Sequence, residues 1–185
     1  MRALPIAVTV LAAALALTSC DDSGDNNSSS SKTSETGKTS TNAVAAADCK
    51  IDSAGIQVGP ANVAPAAGDT GNIPVTITNR DSQCTLKGFP GLEVHAGSTS
   101  TDIVADKAAT PEKLTLAKND TASFTITYVR GTAGDANTLD LKTLKISLPG
   151  ATATQDFTWS YGPVAGKGGA GELNASVTPF THAGD

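Results

Sequence analysis

The chain has 185 residues, a formal net charge of −5 and an aromatic fraction of 4%. Its length suits one domain, and its acidic balance argues against electrostatic binding of nucleic acid, which needs clustered lysine and arginine side chains. Two histidines and three cysteines are too few for most multi-ligand metal sites. The composition therefore predicts no nucleic-acid partner, no metal and no small-molecule cofactor, and it indicates no particular activity.

Residues 1–19 have the layout of a secretory signal peptide. Arg2 provides a short positive segment, and residues 3–17 form an uncharged, largely apolar run. This run is shorter than the roughly 20 residues that a membrane-spanning helix needs. The tetrapeptide Leu17-Thr-Ser-Cys20 then resembles a bacterial lipobox, in which the cysteine thiol receives a diacylglyceryl group and becomes the first residue after cleavage. The alternative is an ordinary signal peptide whose cleavage region happens to contain a cysteine.

Cys20 is accordingly the predicted lipidation site, and the membrane is the predicted partner of the N-terminus. Each buried CH₂ contributes about 0.8 kcal/mol, so that two acyl chains give a stable anchor where one is marginal. Residues 21–42 contain no apolar side chain and cannot bury enough surface to offset the entropy of ordering. We therefore expect residues 20–47 to be a disordered linker that holds the domain at the extracytoplasmic face of a bacterial cell membrane.

Residues 48–185 are predicted to form one all-β domain. Apolar and polar side chains alternate with a period of two, and no window shows a helical stripe. Pro74 lacks an amide hydrogen, which predicts a strand start or an edge strand there. Eight or nine short strands separated by turns are typical of an antiparallel β-sandwich, here of the immunoglobulin type. The segments are 55–58, 73–78, 85–86, 92–95, 113–116, 122–128, 144–148, 155–161 and 173–177.

Cys49 and Cys84 remain once Cys20 is assigned to the lipid. Exported domains retain disulfides, and a bridge here would pin the first strand to the body of the domain. The alternatives are two free thiols or half of a metal site. The chain has no Cys-x-x-Cys motif and no histidine close to either cysteine, which favours a Cys49–Cys84 disulfide.

The segment that follows the second predicted strand carries a family resemblance. It reads Thr78-Asn-Arg-Asp81 and then Cys84-Thr-Leu-Lys-Gly-Phe-Pro-Gly91, and Cys49 precedes it at the start of the domain. In this pattern the chain resembles a family of secreted actinobacterial lipoproteins that carry a β-sandwich domain of unknown function. The resemblance implies a β-sandwich, an envelope location and pairing of the two cysteines, and it implies no activity. Many relatives have further cysteines in the second half, which this chain lacks.

No catalytic residue is predicted. Residues 166–171 match G-x-G-x-x-G, but the dinucleotide fingerprint needs a following helix inside a βαβ unit, and the residues after Gly171 read as a strand. The chain has no G-x-S-x-G nucleophile elbow. The alternative hypothesis is a secreted hydrolase whose catalytic site is assembled across the sandwich, either around His95 or from two carboxylates.

The preferred interpretation is a non-catalytic module that binds a protein or a wall or surface polymer. Its candidate binding patch consists of Phe89, Pro90 and His95, because an aromatic side chain in a turn can anchor an interface. The alternative for this segment is a tight turn in which Gly91 supplies a positive φ and Phe89 packs on the core. A cleft that holds His95 within hydrogen-bond reach of a serine and an acid would instead favour the hydrolase.

We predict that Cys20→Ala abolishes membrane anchoring, because the substitution removes the thiol that receives the lipid. The protein should appear in the medium or persist as an unprocessed precursor, and immunoblots of cell fractions measure both outcomes. The control Ser19→Ala keeps a small residue beside the cysteine and should leave anchoring intact. Unchanged processing and membrane partition of the Cys20→Ala protein would contradict the lipoprotein assignment.

Overall fold

The computed structural model describes residues 46–168 and 171–184. The predicted signal peptide, Cys20 and nearly all of the predicted linker lie outside these residues. The described part contains a 3₁₀ helix, Ile51–Ser53, and no α-helix. None of its helices is long and apolar enough to cross a membrane. The strands are, in chain order, β1 (Ala47–Asp48), β2 (Ala54–Val58), β3 (Thr70–Asn79), β4 (Cys84–Lys87), β5 (Gly91–Ala96), β6 (Thr99–Asp102), β7 (Val104–Ala105), β8 (Lys113–Leu116), β9 (Thr121–Val129), β10 (Thr138–Leu139), β11 (Thr143–Ser147), β12 (Thr154–Thr158), β13 (Val164–Ala165), β14 (Ala175–Val177) and β15 (Thr181–His182).

The described strands form four sheets. The largest has the order β2-β3-β9-β14-β7, and β15 also pairs with β9 beyond the end of β14. The second has the order β12-β11-β5-β6, the third β1-β4-β8, and β10 pairs with β13. All strand pairs are antiparallel except β1–β4 and β14–β7, which are parallel. The predicted all-β class is therefore confirmed, but the sheets are mixed rather than purely antiparallel.

The period-two pattern of the sequence places one face of each long strand in the core. In β9, for example, Phe124, Ile126 and Tyr128 are buried while the intervening residues are partly exposed. The buried side chains of the two larger sheets belong to one hydrophobic cluster. Its central members are Ile73, Val75 and Ile77 of β3, Leu92 and Val94 of β5, Phe124, Ile126 and Tyr128 of β9, and Leu144 and Ile146 of β11.

All nine predicted segments contain a strand, and six further strands were not expected. The unexpected ones are β1, β6, β7, β10, β13 and β15, which have two residues each apart from the four-residue β6. A two-residue strand cannot show a period of two, so the sequence pattern gives no sign of it. The predicted strand 155–161 ends early, at Thr158; Trp159 beyond it is buried, and its indole N–H donates to the Gly162 carbonyl.

The expectation for Pro74 was wrong. Pro74 lies inside β3, which pairs with β2 on one side and with β9 on the other. Its carbonyl accepts the Gly59 amide on the β2 side, immediately after β2 ends at Val58. Because the N–H and C=O of one strand residue point to the same side, the missing donor of Pro74 faces the end of β2. No hydrogen bond to β9 is lost, so proline is tolerated in an interior strand.

The predicted disulfide is present between Cys49 and Cys84, whose Cα atoms are 4.9 Å apart. Both cysteines are buried. The Cys49 amide also donates to the Thr85 carbonyl, and Ala47 pairs with Cys84 in the β1–β4 ladder. The first residues of the domain, 47–49, are thus attached to β4 by the disulfide and by backbone hydrogen bonds.

Asn79, at the end of β3, joins two turns. Its side chain is buried, and its amide nitrogen lies 2.9, 3.1 and 3.1 Å from the carbonyl oxygens of Ser82, Leu116 and Ala117. Its side-chain oxygen accepts the Asp81 amide. The contacts with Ser82 and Asp81 shape the turn between β3 and β4. The contacts with Leu116 and Ala117 hold the end of β8. A buried asparagine whose two N–H groups are shared among three carbonyls is therefore a structural centre of the fold.

We predict that the double variant Cys49→Ala/Cys84→Ala remains folded with a lower Tm. The bridge closes a loop with a sequence separation of 35 residues, which the chain-entropy model values at about 4 kcal/mol. For a domain of this size that corresponds to a fall of about 10 °C in Tm, measurable by circular dichroism. A reductant should lower the Tm of the wild type similarly and leave that of the double variant unchanged. Equal Tm values for both proteins would contradict the prediction.

We predict that Asn79→Ala lowers the free energy of unfolding by about 3 kcal/mol, because three carbonyls lose their donor in a buried setting. Urea unfolding followed by Trp159 fluorescence measures this change. Asn72→Ala is the matched control: it lies in the same strand and is only half-buried, with one hydrogen bond, from the Thr127 hydroxyl. The Asn72→Ala variant should lose about 1 kcal/mol of the free energy of unfolding. Equal losses in the two variants would show that Asn79 is not a structural centre.

Candidate functional site

The structure does not bring the three residues of the expected binding patch to one place. Pro90 is buried, and Phe89 is half-buried and packs against the core. His95 lies near the far end of β5, six residues or about 20 Å along an extended chain from Phe89. The positive φ expected at Gly91 occurs instead at Gly88, where φ is 106°, and Gly91 opens β5. Phe89 is thus placed as a packing residue of the β4–β5 connection.

His95 lies beside an acid but is not hydrogen-bonded to it. Its Nε2 atom is 3.5 Å from Oε1 of Glu93, is buried, and has no hydrogen-bond partner among the described residues. Ser100 and Thr143 lie opposite His95 on β6 and β11, yet neither hydroxyl forms a hydrogen bond with the imidazole. In the described part of the chain, His95 therefore has neither a hydrogen-bonded acid nor a serine positioned for proton transfer.

The exposed face of the β12-β11-β5-β6 sheet is charged. Lys145 of β11 lies between Glu93 of β5 and Asp156 of β12, and Glu93 lies opposite Asp102 of β6. Opposite charges on neighbouring strands support the sheet by cross-strand attraction. The described residues contain no group of three or more His, Cys, Asp or Glu side chains arranged to hold a metal ion.

An aromatic cluster closes one end of the core. Trp159 contacts Tyr128 and Tyr161 edge to face, with ring centroids 5.5 and 5.2 Å apart. The Tyr128 hydroxyl donates a hydrogen bond to the Tyr161 carbonyl and accepts one from the Ala64 amide. Burial, with a smaller effect of the neighbouring Tyr128, raises the pKa of Tyr161, so its phenol is neutral at physiological pH. These contacts account for the cluster as packing.

The exposed face of the largest sheet differs from all these regions because its strand side chains, apart from Pro74, carry uncharged hydroxyl or amide groups; the guanidinium of Arg80 lies over it at Gly55. We call this surface the hydroxyl face. The residues alternate with the buried positions of the same strands and pair across them, for example Thr76 with Ser123 and Asn72 with Thr127. Its members are Gln57, Asn72, Pro74, Thr76, Thr78, Thr121, Ser123, Thr125, Thr127, Ser176 and Thr181.

The geometry of the hydroxyl face leaves many of its polar groups available. Thr127 donates to Oδ1 of Asn72, and the hydroxyls of Ser123 and Thr181 lie 3.4 Å apart. No hydrogen bond between described residues uses the hydroxyl groups of Thr76 or Thr125. Arg80 marks the margin: an added Cβ at Gly55 would lie 2.5 Å from its Nη2 atom, so its guanidinium lies over that glycine.

Threonine suits both the sheet and a binding surface. Its branched Cβ favours extended backbone and restricts χ1, so the hydroxyl groups are held in place before any ligand arrives. Each hydroxyl both donates and accepts a hydrogen bond. The sequence contained a sign of this face, since almost every polar position in 73–78 and 121–127 is Thr or Ser, but the alternation alone does not tell which strands lie side by side.

Comparison with known proteins gives a family. The family model that matches the chain is described as a domain of unknown function, DUF4232, and covers residues 49–181. A search of curated proteins found no match. The matched range contains both cysteines of the disulfide and the whole hydroxyl face.

Proposed function

Because the chain belongs to the DUF4232 family of domains of unknown function, we propose a function from its surface chemistry: a non-catalytic module of the bacterial cell envelope that binds a hydroxyl-rich, uncharged wall or surface polymer. The module is held at the extracytoplasmic face of the membrane by a lipid on Cys20 and by the linker 20–47. In this proposal the protein is one of the secreted actinobacterial lipoproteins that its sequence resembles.

The observation that carries the proposal is that the strand side chains of the hydroxyl face are themselves uncharged, while one cation, the Arg80 guanidinium, lies over the face at Gly55. Charged residues make up 17% of the chain, and the other large sheet exposes Glu93, Lys145 and Asp156 among its outward side chains. The hydroxyl face presents Thr, Ser, Asn and Gln side chains over four neighbouring strands. Such a surface offers hydrogen-bond donors and acceptors that do not favour a charged ligand over a neutral one. This chemistry complements a neutral polysaccharide, whose hydroxyl groups both donate and accept.

Rigidity favours binding by this face. Association costs about 0.5–1.5 kcal/mol for each flexible side chain that it immobilises. The threonines of β3 and β9 are already restricted by their branched Cβ atoms and by their cross-strand neighbours. A polymer with many hydroxyls can therefore form several modest hydrogen bonds along the strands at a small entropic cost.

The proposed architecture is a β-sandwich of the immunoglobulin type. In it the two larger sheets pack face to face, which is consistent with their sharing one hydrophobic cluster. The hydroxyl face and the charged face would then lie on opposite sides of the domain. The polymer would occupy the first, while the second would stay in contact with solvent.

We predict that Thr76→Lys/Thr125→Lys weakens polymer binding about tenfold or more, because each lysine replaces a fixed hydroxyl and adds a long, mobile charge at the centre of the face. The chain from residue 20, with Cys20→Ala, is titrated in affinity electrophoresis against soluble neutral polysaccharides of glucose, galactose, mannose and arabinose units. The matched control is Thr115→Lys, which changes an exposed threonine in β8 and should bind as the wild type does.

Two outcomes would contradict the proposed function. One is that no neutral polysaccharide retards the wild type, or that the control loses as much affinity as the double variant. The other is release of soluble sugars or peptides from the substrate by the wild type but not by His95→Ala, which would establish the hydrolase instead.

A further inference from the structure

A groove adjoins the hydroxyl face at the edge formed by β7. It consists of two neighbouring cavities of about 450 and 400 Å³. Both cavities are lined by Val104, Lys107 and Lys167, and we call their union the Val104 groove. The larger cavity also includes Thr127 and Ser176 of the hydroxyl face. A ligand lying on that face can therefore continue into the groove.

Within residues 46–168 and 171–184, the two lysines of the groove have no acidic partner. The lysine ion pair among these residues joins Lys142 with Asp140, and His95 lies beside Glu93. Neither Lys107 nor Lys167 therefore has a carboxylate oxygen within 4.0 Å in the described part of the chain.

The backbone around both lysines is fixed. Asp106 donates its amide to the Val177 carbonyl, and its carboxylate accepts the Ala108 amide, so that this acid closes the turn that contains Lys107. The Lys167 amide donates to the Glu172 carbonyl.

Contacts also fix described residues near Lys167. Gly166 bridges to Leu173, and the Thr101 hydroxyl donates to the Gly171 carbonyl at 2.6 Å. Two lysines from two separate segments thus line the same groove.

Val104 contributes an apolar floor to both cavities of the groove. Its side chain is 53% exposed, and it is one of two large hydrophobic residues that are exposed in the described part of the chain. Exposed aliphatic surface flanked by polar groups is a common feature of ligand grooves. The floor suits the carbon skeleton of a ligand, while the lysines suit an anionic group on it.

We propose that the Val104 groove binds a carboxylate or phosphate group carried on a sugar or aliphatic chain. That this group is a substituent or an end of the polymer on the hydroxyl face rests on the proposed function. The charge balance favours the larger cavity, where the two lysines face only Asp106. In the smaller cavity Asp102 and Glu172 oppose the same lysines.

The test compares neutral polysaccharides with derivatives that are sparsely carboxymethylated or sparsely phosphorylated. The two derivatives distinguish the two sources of anion. With the processed chain from residue 20, carrying Cys20→Ala, at least one derivative should bind about tenfold more tightly than its parent, as expected for hydrogen bonds to charged groups. Lys107→Gln/Lys167→Gln and 0.5 M salt should both remove this gain without weakening the binding of the parent polymer.

The matched control is Lys87→Gln/Lys118→Gln, which removes the same charge from two exposed lysines outside the groove and should keep the gain. Equal binding of parent and derivatives by the wild type, or a gain that survives loss of both groove lysines, would overturn the inference. A gain that needs both lysines but is unaffected by Thr76→Lys/Thr125→Lys would support the groove and refute the hydroxyl face as the polymer site.

Discussion

The fold depends on one buried amide, the side chain of Asn79. This group satisfies carbonyls of two turns that are far apart in sequence, those after β3 and after β8. Without it, the carbonyls of Leu116 and Ala117 would lack this donor, and only the backbone hydrogen bonds of Asn79 with Asn119 and Asp120 would hold the residues after β8 against the end of β3. The position of Cys84, and with it the attachment of β1, follows from the same turn. The segment 78–91, which carries the family resemblance, therefore has a structural role that explains its residues.

The alternation of apolar and polar side chains along β3 and β9 produces both the hydrophobic core and the candidate binding surface. In β3 the odd-numbered residues build the core and in β9 the even-numbered ones do, while the residues between them build the hydroxyl face. Because threonine favours strands as much as isoleucine and valine do, the surface can be polar without weakening the sheet. The result is a face on which hydroxyl groups predominate.

The sequence predicts the long strands and the disulfide well, and predicts contacts between distant residues poorly. The strands β3, β9 and β11 are long enough to display their period, while β7 and β10 are not. Pro74 was misjudged because its tolerance depends on where β2 ends. The patch of Phe89, Pro90 and His95 was suggested by residue type and sequence proximity, but an extended strand separates its members. The Val104 groove has no local pattern, because its two lysines come from loops that meet only in three dimensions.

The disulfide also determines how the domain carries mechanical load. If the chain is pulled from its N-terminal side, as a membrane tether would pull it, tension reaches Cys49 and passes through the covalent bond directly to Cys84. The 34 residues between the two cysteines, which include β2 and β3, lie in a loop that the tension bypasses. Tension from the tether therefore does not peel β2 from β3 one hydrogen bond at a time, and these two strands of the sheet that bears the hydroxyl face lie outside the path of the load.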